Sequence, residues 1–225
     1  MIQIEENLTR ILEKIKIASG NRSNVKLIAV SKTKPVELIL RAFQAGQLTF
    51  GENRVQEARD KSRQLPSEID WHLIGPLQKN KAKYCPSIFS TIHTIHNTDV
   101  ADVLNQKCLA ANRVMTILVQ MNLTGEDTKS GVTNLDDLKR LNDHLLTLPG
   151  LKLTGLMTIG DPDASNAANQ KVFARLHEIL IHESSRLGLQ TQMTELSVGM
   201  SDDYEIALQE GATFIRIGSA IFGER

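Results

Sequence analysis

Lys32 follows an apolar run, Leu27-Ile28-Ala29-Val30, in the segment "LIAVSKTKP" at residues 27–35. The run has the composition of a buried strand, and Lys32 shares the parity of Ile28 and Val30, so the three point to one face. An amine at such a strand end is either a solvated lysine or a nucleophile toward carbonyls. The second role needs partial desolvation, which lowers the amine's pKa and frees its lone pair. Lys34 lies beyond the strand and beside Pro35, where a solvated role suffices. Far along the chain, "SVGMSDD" sets Gly199, Met200 and Ser201 ahead of a helix start, and "IRIGSA" sets Gly218 and Ser219 after another strand. Backbone N–H groups at such turns bind anions, and two Gly and Ser turns on adjacent strands point to a phosphate. Arg216 shares the parity of Phe214 and Gly218, so it projects inward beside that phosphate. An amine, a phosphate cradle and an inward guanidinium fit pyridoxal 5′-phosphate (PLP). Its aldehyde would form a Schiff base with Lys32, the turns would hold the phosphate, and Arg216 would face the pyridine nitrogen.

Other polar residues at strand ends carry two readings each. Asn53 in "FGENRVQEA" is either a donor and acceptor near the site or the N-cap of the next helix. His72 in "WHLIGPLQKNK" is either a ligand neighbour or a satisfied core histidine. Lys129 in "GEDTKSGV" is either a transfer lysine near the mouth or a loop charge. His93 and His96 have opposite parity on their strand, so no shared metal site is expected there. The basic cluster "KNKAK" at 79–83 reads as the solvated face of a helix, and "GDPDASNAAN" at 160–169 as a mobile surface loop.

These residues need a scaffold that gathers strand ends. Short apolar runs occur at 27–30, 48–53, 71–75, 91–95, 115–122, 153–159, 194–199 and 214–218, with helix-like patterns between them. Pro35 suits a first helical turn, Gly46 the residue past its end, and Ser201 with Asp202 and Asp203 a helix N-terminus. Alternating strands and helices imply parallel pairing through right-handed crossovers. Eight such units favour a single (β/α)8 TIM barrel over an open doubly wound sheet. An extra helix at 2–19 precedes the first strand, with Leu8, Ile11, Leu12 and Ile15 on one face. In such a barrel the chemistry sits at the C-terminal ends of the strands.

Bulk properties exclude several classes. Lys plus Arg and Asp plus Glu are both 26, a balance that disfavours a nucleic-acid binder relying on phosphate neutralisation. "MIQIEENLTR" carries acid where a secretory signal carries base, and no apolar run approaches a membrane span. Cys85 and Cys108 lack metal-ligand spacing. A cytoplasmic, soluble protein is expected.

The segments "AVSKTKP", "FGENRVQEA", "WHLIGPLQKNK", "GEDTKSGV", "GLMTI", "SVGMSDDYEIA" and "IRIGSAIFGER" resemble the pyridoxal-phosphate homeostasis proteins, the YggS/PROSC group. The resemblance runs from residue 29 to the C-terminus. It implies one PLP-binding barrel domain over 1–225, like the N-terminal domain of alanine racemase. It also implies the cofactor on Lys32, Asn53 near the ring and Arg216 at the pyridine nitrogen. Gly199, Met200, Ser201, Gly218 and Ser219 would meet the phosphate, and His72 would neighbour the ring. Pro76 stands where many members have histidine or another polar residue, and Val198 where many have methionine. Neither departure touches Lys32 or Arg216.

An arginine at the pyridine nitrogen disfavours its protonation and weakens the electron sink. In the alanine racemases a tyrosine from a second domain supplies the other base. Here the chain ends at "FGER", seven residues after Gly218, and only Tyr84 and Tyr204 are available. The expectation is a carrier without robust catalysis that buffers PLP and influences amino-acid and keto-acid balance. The alternative is a weak PLP-dependent racemase or lyase acting on amino acids. Expected partners are PLP and apo PLP-dependent enzymes, with no nucleic acid and no membrane, and the protein is expected to be a monomer.

Overall fold

Short, near-continuous runs of β-branched and apolar residues become strands whose two faces are both covered, as a parallel sheet requires. A computed structural model describes residues 3–126 and 130–223. The strands are β1 (Lys26–Val30), β2 (Thr49–Glu52), β3 (Asp70–Leu73), β4 (Thr91–Ile95), β5 (Met115–Gln120), β6 (Leu151–Met157), β7 (Glu195–Ser197) and β8 (Phe214–Ile217). They pair in parallel and in chain order, and β1 against β8 closes the barrel. The closure excludes the open sheet.

Around the barrel lie α1 (Ile4–Ala18), α2 (Val36–Gln44), α3 (Val55–Ser62), α4 (Thr98–Ala110), α5 (Leu135–Leu145), α6 (Asn166–Arg186), α7 (Tyr204–Gln209) and α8 (Ser219–Phe222). After β3 the crossover is a 3-10 helix at Lys79–Ser87 rather than an α-helix. It contains Pro86, which cannot donate to an α-helical ladder. α8 is only four residues long, too short to cover the β8–β1 seam. α1 takes that place and packs on α2, α7 and α8. It buries Ile4, Leu8, Ile11 and Ile15, whereas Leu12, expected on that face, is exposed. Burying each such side chain stabilises by roughly 1.5–3 kcal/mol, so α1 belongs to the core.

Two further expectations change. Asn166–Asn169 form the first turn of α6, capped by Ser165, instead of extending the loop at 160–169. Pro35 is the residue preceding the first turn of α2, with ψ 157°; Gly46 does follow that helix, with φ 95°.

The large apolar cluster lies between helices and strands. The barrel interior holds a separate small one of Ile28, Leu118, Met157 and Phe214, with Ile159 against it. The rest of the interior described below is polar.

β6 and β7 approach so closely at Gly155 that a Cβ there would lie 1.8 Å from the Glu195 carbonyl oxygen. Gly155→Ala must push the strands apart, and overpacking of this kind costs about 1–3 kcal/mol. The unfolding midpoint in urea should fall accordingly, and an unchanged midpoint would refute the close packing.

Candidate functional site

A cavity of about 320 Å³ opens at the C-terminal rim of the barrel. Its walls include Lys32, Lys34, Asn53, Met200, Ser201, Asp202, Arg216, Gly218 and Ser219. Every expected site residue is there except Gly199 and His72. Gly199 is adjacent, with φ 88°, and its carbonyl accepts the Arg216 backbone N–H at 3.1 Å. A Cβ on Gly199 would come 2.7 Å from that of Ala207, so the turn is built for glycine. His72 instead sits in the barrel interior below the cavity, nearly fully buried. The satisfied core histidine is the observed role. Lys129 lies outside the described residues.

The two Gly and Ser turns touch: the Ser219 hydroxyl donates to the Ser201 hydroxyl oxygen at 3.0 Å. The helix start expected at Ser201 lies two residues later, with Asp203 at the cap position. The Asp203 carboxylate accepts the Met200 N–H at 2.5 Å. Met200 therefore contributes its place in the wall while its amide is already engaged. Burial pushes the Asp203 carboxyl above its ordinary value. α8 begins at Ser219, directly after Gly218.

Arg216 points inward from β8 and is buried apart from its edge on the cavity. Its Nη1 donates to the Ser197 hydroxyl at 2.7 Å and its Nη2 to the Thr158 carbonyl at 2.9 Å. Both partners are neutral, and burial lowers the guanidinium's pKa to about 10. It stays cationic at neutral pH.

Lys32 is half-buried, and the turn that carries it is held from behind. The Lys61 Nζ donates to the Ser31 carbonyl at 2.7 Å, to Glu52 at 2.8 Å and to Glu57 at 2.6 Å. Ser31 Oγ donates to the same Glu52 oxygen at 2.6 Å, and Glu57 accepts the Thr33 N–H at 2.6 Å. That bond accompanies a φ of 62° at Thr33, a left-handed conformation that a β-branched residue rarely takes. Glu52 is completely buried on the helix side of β2, and its Oε2 has no hydrogen-bond partner among the described residues. Burial raises its pKa. Lys34 also departs from expectation: it is half-buried, lines the cavity, and its Nζ donates to the Gly223 carbonyl at 2.8 Å. Asn53 lines the cavity, and Arg54 takes the helix-cap position.

Tyr204 is buried in α7 with its hydroxyl on Glu205, its pKa pushed up to about 12 mainly by burial. Tyr84 lies on the 3-10 helix beneath Arg59 and Lys83. Neither lines the cavity. Among the described residues, no cluster of His, Cys, Asp and Glu could hold a metal ion, and no helix is long and apolar enough to cross a membrane.

The chain matches the family model "Alanine racemase, N-terminal domain" over residues 3–225. It is 38% identical to the pyridoxal phosphate homeostasis protein of Haemophilus influenzae, covering 100% of this chain and 97% of that protein. It is 40% identical to the protein of the same name from Pseudomonas aeruginosa, with the same coverage. Among solved structures, PipY of Synechococcus elongatus PCC7942 with PLP bound superposes with a TM-score of 0.89 at 35% identity, covering 98% of this chain and 100% of PipY. An alanine racemase of Clostridium difficile 630 shares the fold alone, with a TM-score of 0.74 at 15% identity, and 57% of its chain is covered.

Two variants test the supports of the site. Lys61→Met leaves Glu52 buried beside Ser31 without its cation, a loss that costs about 3–5 kcal/mol, measurable by urea unfolding. His93, fully buried, is held well below the usual histidine range by burial and by the charges of His72 and Arg216. The unfolded chain then takes up a proton that the folded chain refuses. Stability should therefore fall as pH drops below about 6.5, with a slope of up to roughly 1.4 kcal/mol per pH unit. His93→Gln should flatten that slope; an identical slope in the variant would contradict the assignment.

Proposed function

The chain belongs to the family of pyridoxal phosphate homeostasis proteins, and from that premise we propose that its barrel is a single PLP-binding domain acting as a cofactor carrier. One observation carries the reading: Lys32, Arg216 and the touching Ser201 and Ser219 turns line the same cavity at the strand C-termini. The Lys32 amine would hold the cofactor through its aldehyde as a Schiff base, with loss of water, and the cofactor would supply a pyridine ring able to act as an electron sink.

The residues fit that molecule. The turns offer hydroxyls and amides to a phosphate, and Gly218 stands so close to β1 that a Cβ would lie 3.1 Å from the Val30 carbonyl oxygen. That narrow wall would be filled by any side chain. Arg216 would bring a fixed positive charge against the ring, which disfavours protonation of the ring nitrogen and keeps the electron sink weak. Asn53 lines the same wall and offers both a donor and an acceptor. The Lys32 side chain is half-buried in the same wall, within reach of a molecule in the cavity.

The carrier role is supported by what else lines the cavity. Beside Lys32 and Arg216, the titratable side chains in the walls among the described residues are Lys34 and Asp202, while both tyrosines lie elsewhere. A fixed cradle with a weak electron sink holds and releases the cofactor, and through that pool the protein influences amino-acid and keto-acid balance. Apo PLP-dependent enzymes are the recipients in this reading.

Adding PLP to the protein should produce an imine absorption band, absent in Lys32→Ala. Borohydride reduction followed by peptide mapping should tag the peptide holding Lys32; a tag only on Lys34 or Lys129 would overturn the assignment. Exchange of α-protons on a panel of amino acids should stay far below enzyme-like rates, and turnover at such rates would replace the carrier by a racemase or lyase.

A further inference from the structure

The barrel interior contains a continuous hydrogen-bonded chain that runs from the cavity wall to the opposite end of the barrel. Arg216 Nη1 donates to Ser197 Oγ at 2.7 Å, and Ser197 Oγ meets His93 Nδ1 at 2.9 Å. His93 Nε2 meets His72 Nδ1 at 2.9 Å, and His72 Nε2 meets Asp70 Oδ2 at 3.2 Å. Asp70 also accepts from Ser90 Oγ. The chain crosses from β8 to β7, β4 and β3. Ser197, His93 and His72 are buried, and the Asp70 side chain, at the start of β3, is 39% exposed. Phe214 presents its ring edge-on to both imidazoles, with centroids 5.5 and 5.1 Å away.

With both imidazoles neutral and Asp70 ionised, the two ends fix the direction of every link. A guanidinium only donates, and a carboxylate only accepts. Ser197 therefore accepts from Arg216 and gives its own proton to His93 Nδ1. His93 donates from Nε2 to His72 Nδ1, and His72 donates from Nε2 to Asp70. In this arrangement each imidazole uses one nitrogen as donor and the other as acceptor. The reverse polarity would aim a bare His72 nitrogen at a carboxylate.

Such an interior is costly. TIM barrels usually fill these layers with branched apolar side chains, and each polar group here must recover its desolvation through its partner. Arg216 touches no carboxylate among the described residues. The aligned dipoles of Ser197, His93 and His72 link it to the carboxylate of Asp70 instead.

We infer that Asp70, His72, His93 and Ser197 are positioning residues: a polarised relay that orients the Arg216 guanidinium and sets its strength as a donor toward the ring nitrogen of the bound cofactor. The inference rests on the PLP reading above. It extends the control of the site to a residue at the far end of the barrel. The charged and titratable groups that face the relay are Lys26 beside Asp70, Arg216 at the cavity end, and Asp203 behind Arg216. Lys26 also lies 5.7 Å from the Phe214 ring centroid.

Two measurements test it. In the cofactor-free protein at pH 8, imidazole 15N shifts should place the proton on Nε2 of both His72 and His93; a proton on His93 Nδ1 overturns the polarity and the relay with it. In the PLP-loaded protein, the midpoint of the pH-dependent absorbance change should move by at least about half a pH unit in Asp70→Asn. In a Ser197→Ala background, where the chain is cut, Asp70→Asn should move it no further. An equal shift in both backgrounds would mean through-space electrostatics, and no shift in either would mean an inert core; each overturns the relay. If Ser197→Ala does not fold, His93→Gln cuts the chain in its place. Failure of PLP to attach to Lys32 would sink the functional reading, while the imidazole shifts would still decide the relay.

Discussion

Pairing of β1 with β8 is the constraint on which the site depends. Ile28 is registered against Arg216 and Ala29 against Ile217, so the first and last strands of the chain lie side by side. All strands are parallel, which sends every C-terminal end to one rim. An amine near residue 32 and a guanidinium at 216 meet only because that seam closes. The short α8 would leave it exposed to water, and α1 covers it by burying Ile4, Leu8, Ile11 and Ile15. The N-terminal helix, remote from the chemistry, thus protects the pairing that makes the chemistry possible.

Closure also decides what can be put inside. A guanidinium buried in the barrel, with neutral oxygens as its direct partners, loses hydration that neither Ser197 nor Thr158 fully returns. Apolar side chains would stabilise the interior more, yet the hydrophobic cluster there comprises Ile28, Leu118, Met157 and Phe214. The remaining inward positions on β3, β4 and β7 carry imidazoles and a hydroxyl that neighbour one another across the barrel. Stability is given up in the middle of the fold to keep a charged group at its upper wall. The large apolar cluster between strands and helices makes that concession tolerable.

The barrel and much of the cavity wall were legible in the sequence because both follow from parity. Lys32 continues the face of Ile28 and Val30, and Arg216 continues that of Phe214. The Gly and Ser turns announce themselves by composition. What escaped were residues whose role is set by partners distant in sequence. Glu52 and Lys61 look like surface charges on a strand and a helix, nine residues apart, and only the outward face of β2 against α3 buries them together. Strand parity alone leaves His72 open between site and core, and it gives His93 no partner along the chain. Their pairing depends on the barrel's cross-section rather than on any spacing along the chain. The same parity rule applied to Ser197, which shares the face of Gly199, would have placed it inside. Leu12 misled in the opposite direction, since helical periodicity gives a face but not its width. Lys34 misled because a residue past a strand end was assigned to solvent, when the turn bends it back to the Gly223 carbonyl.

The two charged assemblies at the rim do different physical jobs. Behind β1, Lys61 gathers the Ser31 carbonyl, Glu52 and Glu57, and Glu57 in turn anchors the strained Thr33 amide. These bonds act on the backbone on both sides of Lys32. The root of that side chain is therefore fixed, while its amine remains half-buried in the cavity wall. On the other side Arg216 is the reverse case, a side chain clamped at its guanidinium by Ser197 and Thr158. An amine on a rigid root returns to the same place whenever a bond to it is made and broken. A clamped cation opposite supplies a constant field throughout. The proposed carrier role would use that combination, with Lys32 as the group that reacts and Arg216 as the group that stays in place.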